Sequence, residues 1–257
     1  MLSLKQIESF YPEKERYFPR NMYREYLQYK ILEIIFSSAE SAKLSFLGGT
    51  CLRIVHESGR FSEDLDFDNF GLTEKDFANI SALVKEKLEY EGYNVETKNV
   101  SKGAYRCYLR IPGILFSEGL SSHVDEKILI QLDSASHGFE YKPDIYLLNK
   151  FDVTARINVT PPDILLSRKI SAVFGRKTPK GRDFYDITFL LAKTAPNYEY
   201  LRKKMNVSDG GQLRDVILKK CDTLDFNGLA KDVGPFLIDK GDVKKILLFR
   251  DVIEKIR

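Results

Sequence analysis

The sequence predicts an α/β (α+β) protein, in which a mixed sheet flanked by helices is followed by a mostly helical C-terminal domain. Three observations predict it. Short apolar runs bounded by glycine or aspartate crowd residues 44–159. A polar–apolar alternation runs through Asp64-Leu-Asp-Phe-Asp68, as in a half-buried strand. Helical periodicity then dominates residues 160–257. With 257 residues, 43% of them hydrophobic and 30% charged, the composition is that of a folded chain with a substantial core.

Each element follows in order. Residues 1–43 predict a helical segment: a short arm, then an amphipathic helix in which Tyr26, Leu27, Ile31, Ile34 and Ile35 recur at helical spacing. The sheet-bearing core is expected over 44–159. It opens with a strand at 44–47, halted by Gly48-Gly49, and a helix from about Thr50 to Glu57, broken at Gly59-Arg60. On the strand that follows, Leu65 and Phe67 point one way and Asp64, Asp66 and Asp68 the other. Thr73 is placed to cap a helix, with Asp76 at the reciprocal position of a capping box. That helix runs to about Glu91 and stops at Gly92. Strands are expected at 93–98, 104–111, 126–133 and 152–159. Thr160-Pro-Pro-Asp163 is a helix-start signal and opens the helical domain, 160–257.

Net charge is only +3, from 40 basic and 37 acidic residues, so bulk electrostatics neither demand nor exclude nucleic acid. Positive charge is densest around Arg168, Lys169, Arg176, Lys177, Lys180 and Arg182, a turn suited to phosphates or an RNA backbone and equally to a solvated loop. Cys51, Cys107 and Cys221 have no zinc-ligand spacing, which points to a reducing compartment without structural zinc. His56, His123 and His137 show no ligand spacing either and read as structural. There is no signal-peptide pattern and no apolar run of the roughly 20 residues a membrane span needs, so a cytoplasmic location is expected.

Asp64 and Asp66 share a strand face roughly 7 Å apart at the strand rise. Carboxylates so placed repel each other unless a divalent cation, which prefers hard oxygen ligands, lies between them. Two metals can be bridged by such a pair plus a third carboxylate from a neighbouring strand. The bland reading is a solvated face of an antiparallel sheet. Upstream, Phe46-Leu-Gly-Gly-Thr50 sets a glycine pair between strand and helix, where backbone N–H groups can approach a phosphate; glycine pairs are also ordinary turns. For the third carboxylate, Asp133 at the end of Ile128-Leu-Ile-Gln-Leu-Asp133 is the best placed, with Asp125 and Glu126 as competitors.

The order glycine turn, helix, then a strand carrying Asp-x-Asp is that of the polymerase-β-type nucleotidyltransferases. Leu47-Gly-Gly-Thr-Cys-Leu-Arg53 and Arg60-Phe-Ser-Glu-Asp-Leu-Asp-Phe-Asp68 resemble the signature of the AbiEii toxin family within that superfamily, to which the mycobacterial MenT toxins are related. Some relatives carry Gly-Ser where this chain has Gly48-Gly49; Thr50 or Ser62 is then the candidate for the missing hydroxyl, and Arg53 or Arg60 for a triphosphate contact. Ser167-Arg-Lys-Ile-Ser-Ala-Val-Phe-Gly-Arg176 and Lys180-Gly-Arg-Asp-Phe-Tyr-Asp186 carry the rest of the resemblance, which assigns a functional lysine to Lys169 and a functional aspartate to Asp183, with Asp186 one turn later. Lys169 shares a helical stripe with Leu165 and Val173, so it either snorkels or points into a site. Asp183 is equally placed to cap a helix, and Asp186 to pair with Arg182 or Arg176.

The resemblance implies a polymerase-β-like fold and nucleoside monophosphate transfer from an NTP to an acceptor hydroxyl. It implies Mg2+, two ions, with Mn2+ as a substitute. Asp64, Asp66 and Asp133 would hold metal, Lys169 and Asp183 would join the catalytic set, and Gly48, Gly49, Thr50, Ser62 and Arg53 would face the nucleotide. The implied acceptor is RNA, above all the 3′ end of tRNA, in a toxin–antitoxin or phage-defence setting with a cognate antitoxin and no membrane. Three alternatives stand beside it: a nucleotide-binding interaction protein without turnover, transfer to a protein hydroxyl, and a nuclease using the same metals.

Overall fold

A computed structural model describes residues 1–176 and 178–256; Lys177 of the expected basic turn lies outside the described residues. By its contacts the chain divides into two compact units, Met1–His56 with Ser62–Thr160, and Glu57–Phe61 with Pro161–Arg257.

In the first unit, α1 (Leu4–Glu8) and α2 (Pro19–Phe36) precede β1 (Leu44–Leu47), α3 (Gly48–Ile54), β2 (Leu65–Asn69) and α4 (Glu74–Tyr90). Next come β3 (Glu96–Ser101), β4 (Tyr105–Pro112), the short α5 (Ile114–Ser117), β5 (Lys127–Ala135), β6 (Asp144–Lys150) and β7 (Val153–Val159). The seven strands form one mixed sheet in the order β3-β4-β5-β2-β1-β7-β6. The β2–β5 and β1–β7 pairs are parallel and the other pairs antiparallel.

Alternation decides what each strand face does. Phe67 of β2 lies against Phe46 of β1 and Phe36 of α2, with ring centroids 5.7 and 6.3 Å apart. Leu65, Leu132, Cys107 and Leu109 share that apolar face and are essentially buried. α2 packs on β7, and α4 on β3 and β4. The opposite face of β2 is left to its aspartates. The Thr73–Asp76 capping box forms as expected at the start of α4.

Four details differ from the expectations, the first being that β2 begins at Leu65 and leaves Asp64 just ahead of the strand. The helix after β1 begins at Gly48 itself, whose φ is +83°, and it ends at Ile54. The strand expected at 93–98 lies at Glu96–Ser101. β6 was not anticipated: it is an edge strand whose Ile145 and Leu147 are exposed, so it lacks the half-buried alternation by which strands are read.

The second unit holds α6 (Pro162–Gly175), α7 (Gly181–Leu191), α8 (Tyr198–Met205), α9 (Gly210–Cys221), α10 (Phe226–Val233), α11 (Lys244–Leu247) and α12 (Phe249–Glu254). Phe184 of α7 anchors its core, edge-on to Phe249 and Phe226 at 4.9 and 5.9 Å. Gly181 lets α7 start close to α10: a Cβ there would lie 1.9 Å from the Leu229 carbonyl oxygen. Residues 57–61 join this unit, with Arg60 in an antiparallel bridge to Leu237. Phe61 N–H donates to the Phe236 carbonyl and Ile238 N–H to that of Gly59, at 2.9 and 3.1 Å. Among the described residues, no helix is long and apolar enough to cross a membrane.

Candidate active site

In the first unit the glycine turn and the aspartate strand meet. β1 and β2 pair so that Leu47 stands opposite Asp66, which brings the start of α3 onto the Asp66 side chain. A Cβ on Gly48 would lie 2.0 Å from Asp66 Oδ2. Only glycine leaves room for the carboxylate, and only glycine adopts this φ without strain. Thr50 is fully buried and its hydroxyl donates to the Asp64 carbonyl oxygen. Its visible task is therefore to tie α3 to the backbone of the aspartate motif. The Cys51 thiol is pushed up by burial and then by the Asp66 carboxylate, so Asp66 acts electrostatically on α3 as well.

Asp133 stands opposite Asp66 on the neighbouring parallel strand. Paired strands lie about 4.8 Å apart, so the two carboxylates rise side by side from one sheet face. Asp133 is held by Arg106 of β4, Nε to Oδ1 2.9 Å, and by Gln131, Nε2 to Oδ2 2.5 Å. Carboxylate oxygens of this kind suit a hard divalent cation. Among the described residues no three His, Cys, Asp or Glu side chains converge as a ready-made cation site; Arg106 and Gln131 occupy the third carboxylate.

Asp68, the third acid of the alternation, has a different environment. It is buried and accepts the Tyr141 hydroxyl at 3.0 Å, with His137 Nδ1 at 3.2 Å. Tyr141 also meets the Thr160 hydroxyl at 2.8 Å, and Thr160 meets Ser45 at 3.0 Å. This network fastens residues 137–141 to β1 and β2.

Arg53 and Ser62 have their own partners inside the unit. Arg53 binds Glu15 and Glu25, the latter at 2.7 Å. Lys150 reaches Glu25 at 2.9 Å and lies over the Tyr11 ring. Burial raises the Glu25 carboxyl, but Arg53 and Lys150 outweigh it and hold it below the ordinary range. Through these pairs Arg53 ties α3 to the N-terminal segment. The Ser62 carbonyl accepts the Gln28 amide at 3.1 Å.

In the second unit, Lys169 of α6 meets Asp186 at 2.8 Å and Asp183 at 3.5 Å. Asp183 also pairs with Arg176. The Asp186 partners expected from sequence, Arg182 or Arg176, give way to Arg60, whose Nε and Nη2 each lie 2.7 Å from a carboxylate oxygen. Burial pushes Asp186 up, yet Arg60 and Lys169 prevail and its carboxyl stays below the usual range. Asp183 sits in the first turn of α7 with its side chain buried. The sequence offered Arg60 for a triphosphate contact; in the structure its guanidinium is buried against Asp186, a partner that no neighbouring residue signals.

Two crystal structures resemble this fold. JHP933 from Helicobacter pylori superposes with a TM-score of 0.59 at 18% identity, covering 92% of this chain and 92% of that one. A candidate nucleotidyltransferase from H. pylori gives 0.58 at 18% identity, covering 92% and 95%. At that identity the likeness speaks for the fold alone, an α+β sheet-and-helix architecture. No curated protein matches the chain. Residues 30–239 match the family described as nucleotidyl transferase AbiEii toxin, Type IV TA system, and the chain therefore belongs to the AbiEii nucleotidyltransferase toxin family.

Proposed function

We propose that the protein is a metal-dependent nucleotidyltransferase that moves a nucleoside monophosphate from an NTP to a hydroxyl of RNA, with the 3′ end of tRNA as the favoured acceptor. The observation that carries this reading is the contact of Gly48 with Asp66, with Asp133 opposite Asp66 on the adjoining strand. Glycine at φ +83° lets the Asp66 carboxylate lie against the turn and beside Asp133, so that two hard oxygen ligands come together.

Asp64, Asp66 and Asp133 are the candidate ligands for Mg2+, or Mn2+ in its place. When bound, the cations neutralise the triphosphate and activate the acceptor hydroxyl. Gly48 and Gly49, buried in the first turn of α3, are the candidate phosphate-facing turn that the family resemblance assigns. Arg106 must release Asp133 before that carboxylate can serve. Lys169, held by Asp183 and Asp186 within the second unit, is the candidate catalytic lysine that the family resemblance assigns. The acceptor oxygen bonds to the α-phosphorus, and the bond from that phosphorus to pyrophosphate breaks. Family membership also implies a cognate antitoxin.

The test incubates the full chain with Mg2+, labelled NTPs and total tRNA. Label transfer that disappears in Asp66→Ala is the expected result. Nucleotide-dependent thermal stabilisation without transfer to any acceptor would instead indicate a binding protein. Label on protein would indicate a protein hydroxyl, and release of free nucleotide from RNA a nuclease.

A further inference from the structure

On the sheet face that carries Asp66 and Asp133, β4 presents Arg106, Tyr108 and Arg110 in alternation. They stand opposite Asp133, Gln131 and Leu129 of β5. β3 adds Lys98 opposite Tyr108. Because side chains two apart share a face, these groups form a continuous strip extending from the carboxylates. The apolar core lies on the other face, where Cys107 and Leu109 are buried. A half-buried tyrosine between two arginines contributes little to that core. The Arg110 guanidinium carbon lies 5.8 Å from the Tyr108 ring centroid, which braces the ring from one side. Glu96, opposite Arg110 in register, is taken by Lys127 at 2.8 Å.

We propose that this strip is the platform for a single-stranded nucleic-acid acceptor. One base stacks on Tyr108, while Arg110 and Lys98 hold backbone phosphates. Stacking on an aromatic ring flanked by cations is the general means of gripping a single strand with little sequence preference. Tyr108 is roughly 7 Å along β4 from Arg106 at the strand rise, and Arg106 touches Asp133. A strand lying on the platform therefore has its end beside the candidate metal ligands. Arg106 links the two functions: it holds Asp133 at 2.9 Å, and its release from that carboxylate adds a cation to the platform. The inference rests on the RNA-acceptor reading above and names the residues that would recognise the acceptor.

The test is fluorescence anisotropy of the full chain with a short, labelled single-stranded RNA bearing a free 3′ hydroxyl. Tyr108→Ala is expected to raise Kd about tenfold and Tyr108→Phe to restore it, since the ring and not the hydroxyl stacks. Arg110→Ala is expected to weaken binding and to lower the slope of log Kd against log salt by about one. Equal melting temperatures would show that each variant is folded. Wild-type affinity in Tyr108→Ala and Arg110→Ala, or no RNA binding by the wild type, overturns the platform. Transfer of label to tRNA with an unchanged KM in Tyr108→Ala would leave the transferase standing and remove the platform. RNA binding through Tyr108 without any label transfer would support the platform while the transferase reading falls.

Discussion

The Arg60 guanidinium and the Asp186 carboxylate form a two-pronged ion pair, both contacts 2.7 Å, with the side chains 1% and 0% exposed. Attraction within such a pair roughly repays its desolvation, but removing Arg60 leaves the buried Asp186 with Lys169 alone to compensate its charge. Arg60→Ala should therefore cost about 3–5 kcal/mol in urea unfolding. The double variant Arg60→Met with Asp186→Leu should cost less than the two single changes added.

The same pair sets an acid limit. Asp186 ionises below its ordinary 3.8 in the folded chain, because Arg60 and Lys169 overcome the effect of burial. Its stabilising contribution is thus fully present above that ordinary value and is lost as pH falls toward the folded one. Stability measured from pH 6 downward should drop more steeply below about pH 4 in the wild type than in Asp186→Asn.

Gly48→Ala should strike both backbone and site. The left-handed conformation costs a residue with a Cβ roughly 1–2 kcal/mol, and the methyl group would collide with Asp66 Oδ2. Far-UV circular dichroism is expected to show a folded chain. Calorimetric titration with Mn2+ should show affinity lower by on the order of tenfold or more, as when a ligand loses its support.

Arg106 holds Asp133, and on the proposed metal reading it competes with the cation for that carboxylate. Removing it in Arg106→Ala should tighten Mn2+ binding in the same titration, whereas Asp133→Asn should weaken it. If both changes weaken binding equally, Asp133 is not a metal ligand kept in reserve by Arg106.

Tyr141→Phe removes the hydroxyl that bridges Asp68 and Thr160. A hydrogen bond to a charged group contributes about 1.5–3 kcal/mol, so thermal and urea stability should fall by about that amount. Mn2+ affinity should stay at the wild-type value, because Asp68 is engaged by a structural network.

What could be read from the sequence was local. Alternation separated Leu65 and Phe67 from the aspartates, and the Thr73–Asp76 box marked the start of α4, because neighbouring residues alone decide both. The glycine pair was legible as a turn, but not the fact that Gly48 lies against Asp66. The register that sets Asp133 opposite Asp66 belongs to a parallel pairing, which no short stretch encodes. Arg60 and Asp186 lie 126 positions apart, so the partner of either is invisible until the chain folds. The partners of Arg53 were hidden in the same way, because closeness in sequence to a glycine motif says nothing of two glutamates far upstream.

The course of residues 57–61 bears on how the protein could be recombined. The chain leaves the sheet unit after His56, contributes Arg60 and Phe61 to the helical unit, and returns at Ser62 just ahead of the aspartate strand. Three crossings of the chain, at 56/57, 61/62 and 160/161, therefore join the units. A fragment ending at Thr160 would carry away Arg60 without Asp186, and a fragment beginning at Pro161 would keep Asp186 without Arg60. The helical unit is thus no detachable cassette. Exchange between relatives by a single cut near residue 160 would split a buried ion pair, so homologous recombination at that boundary is constrained to parents that agree at both of its ends.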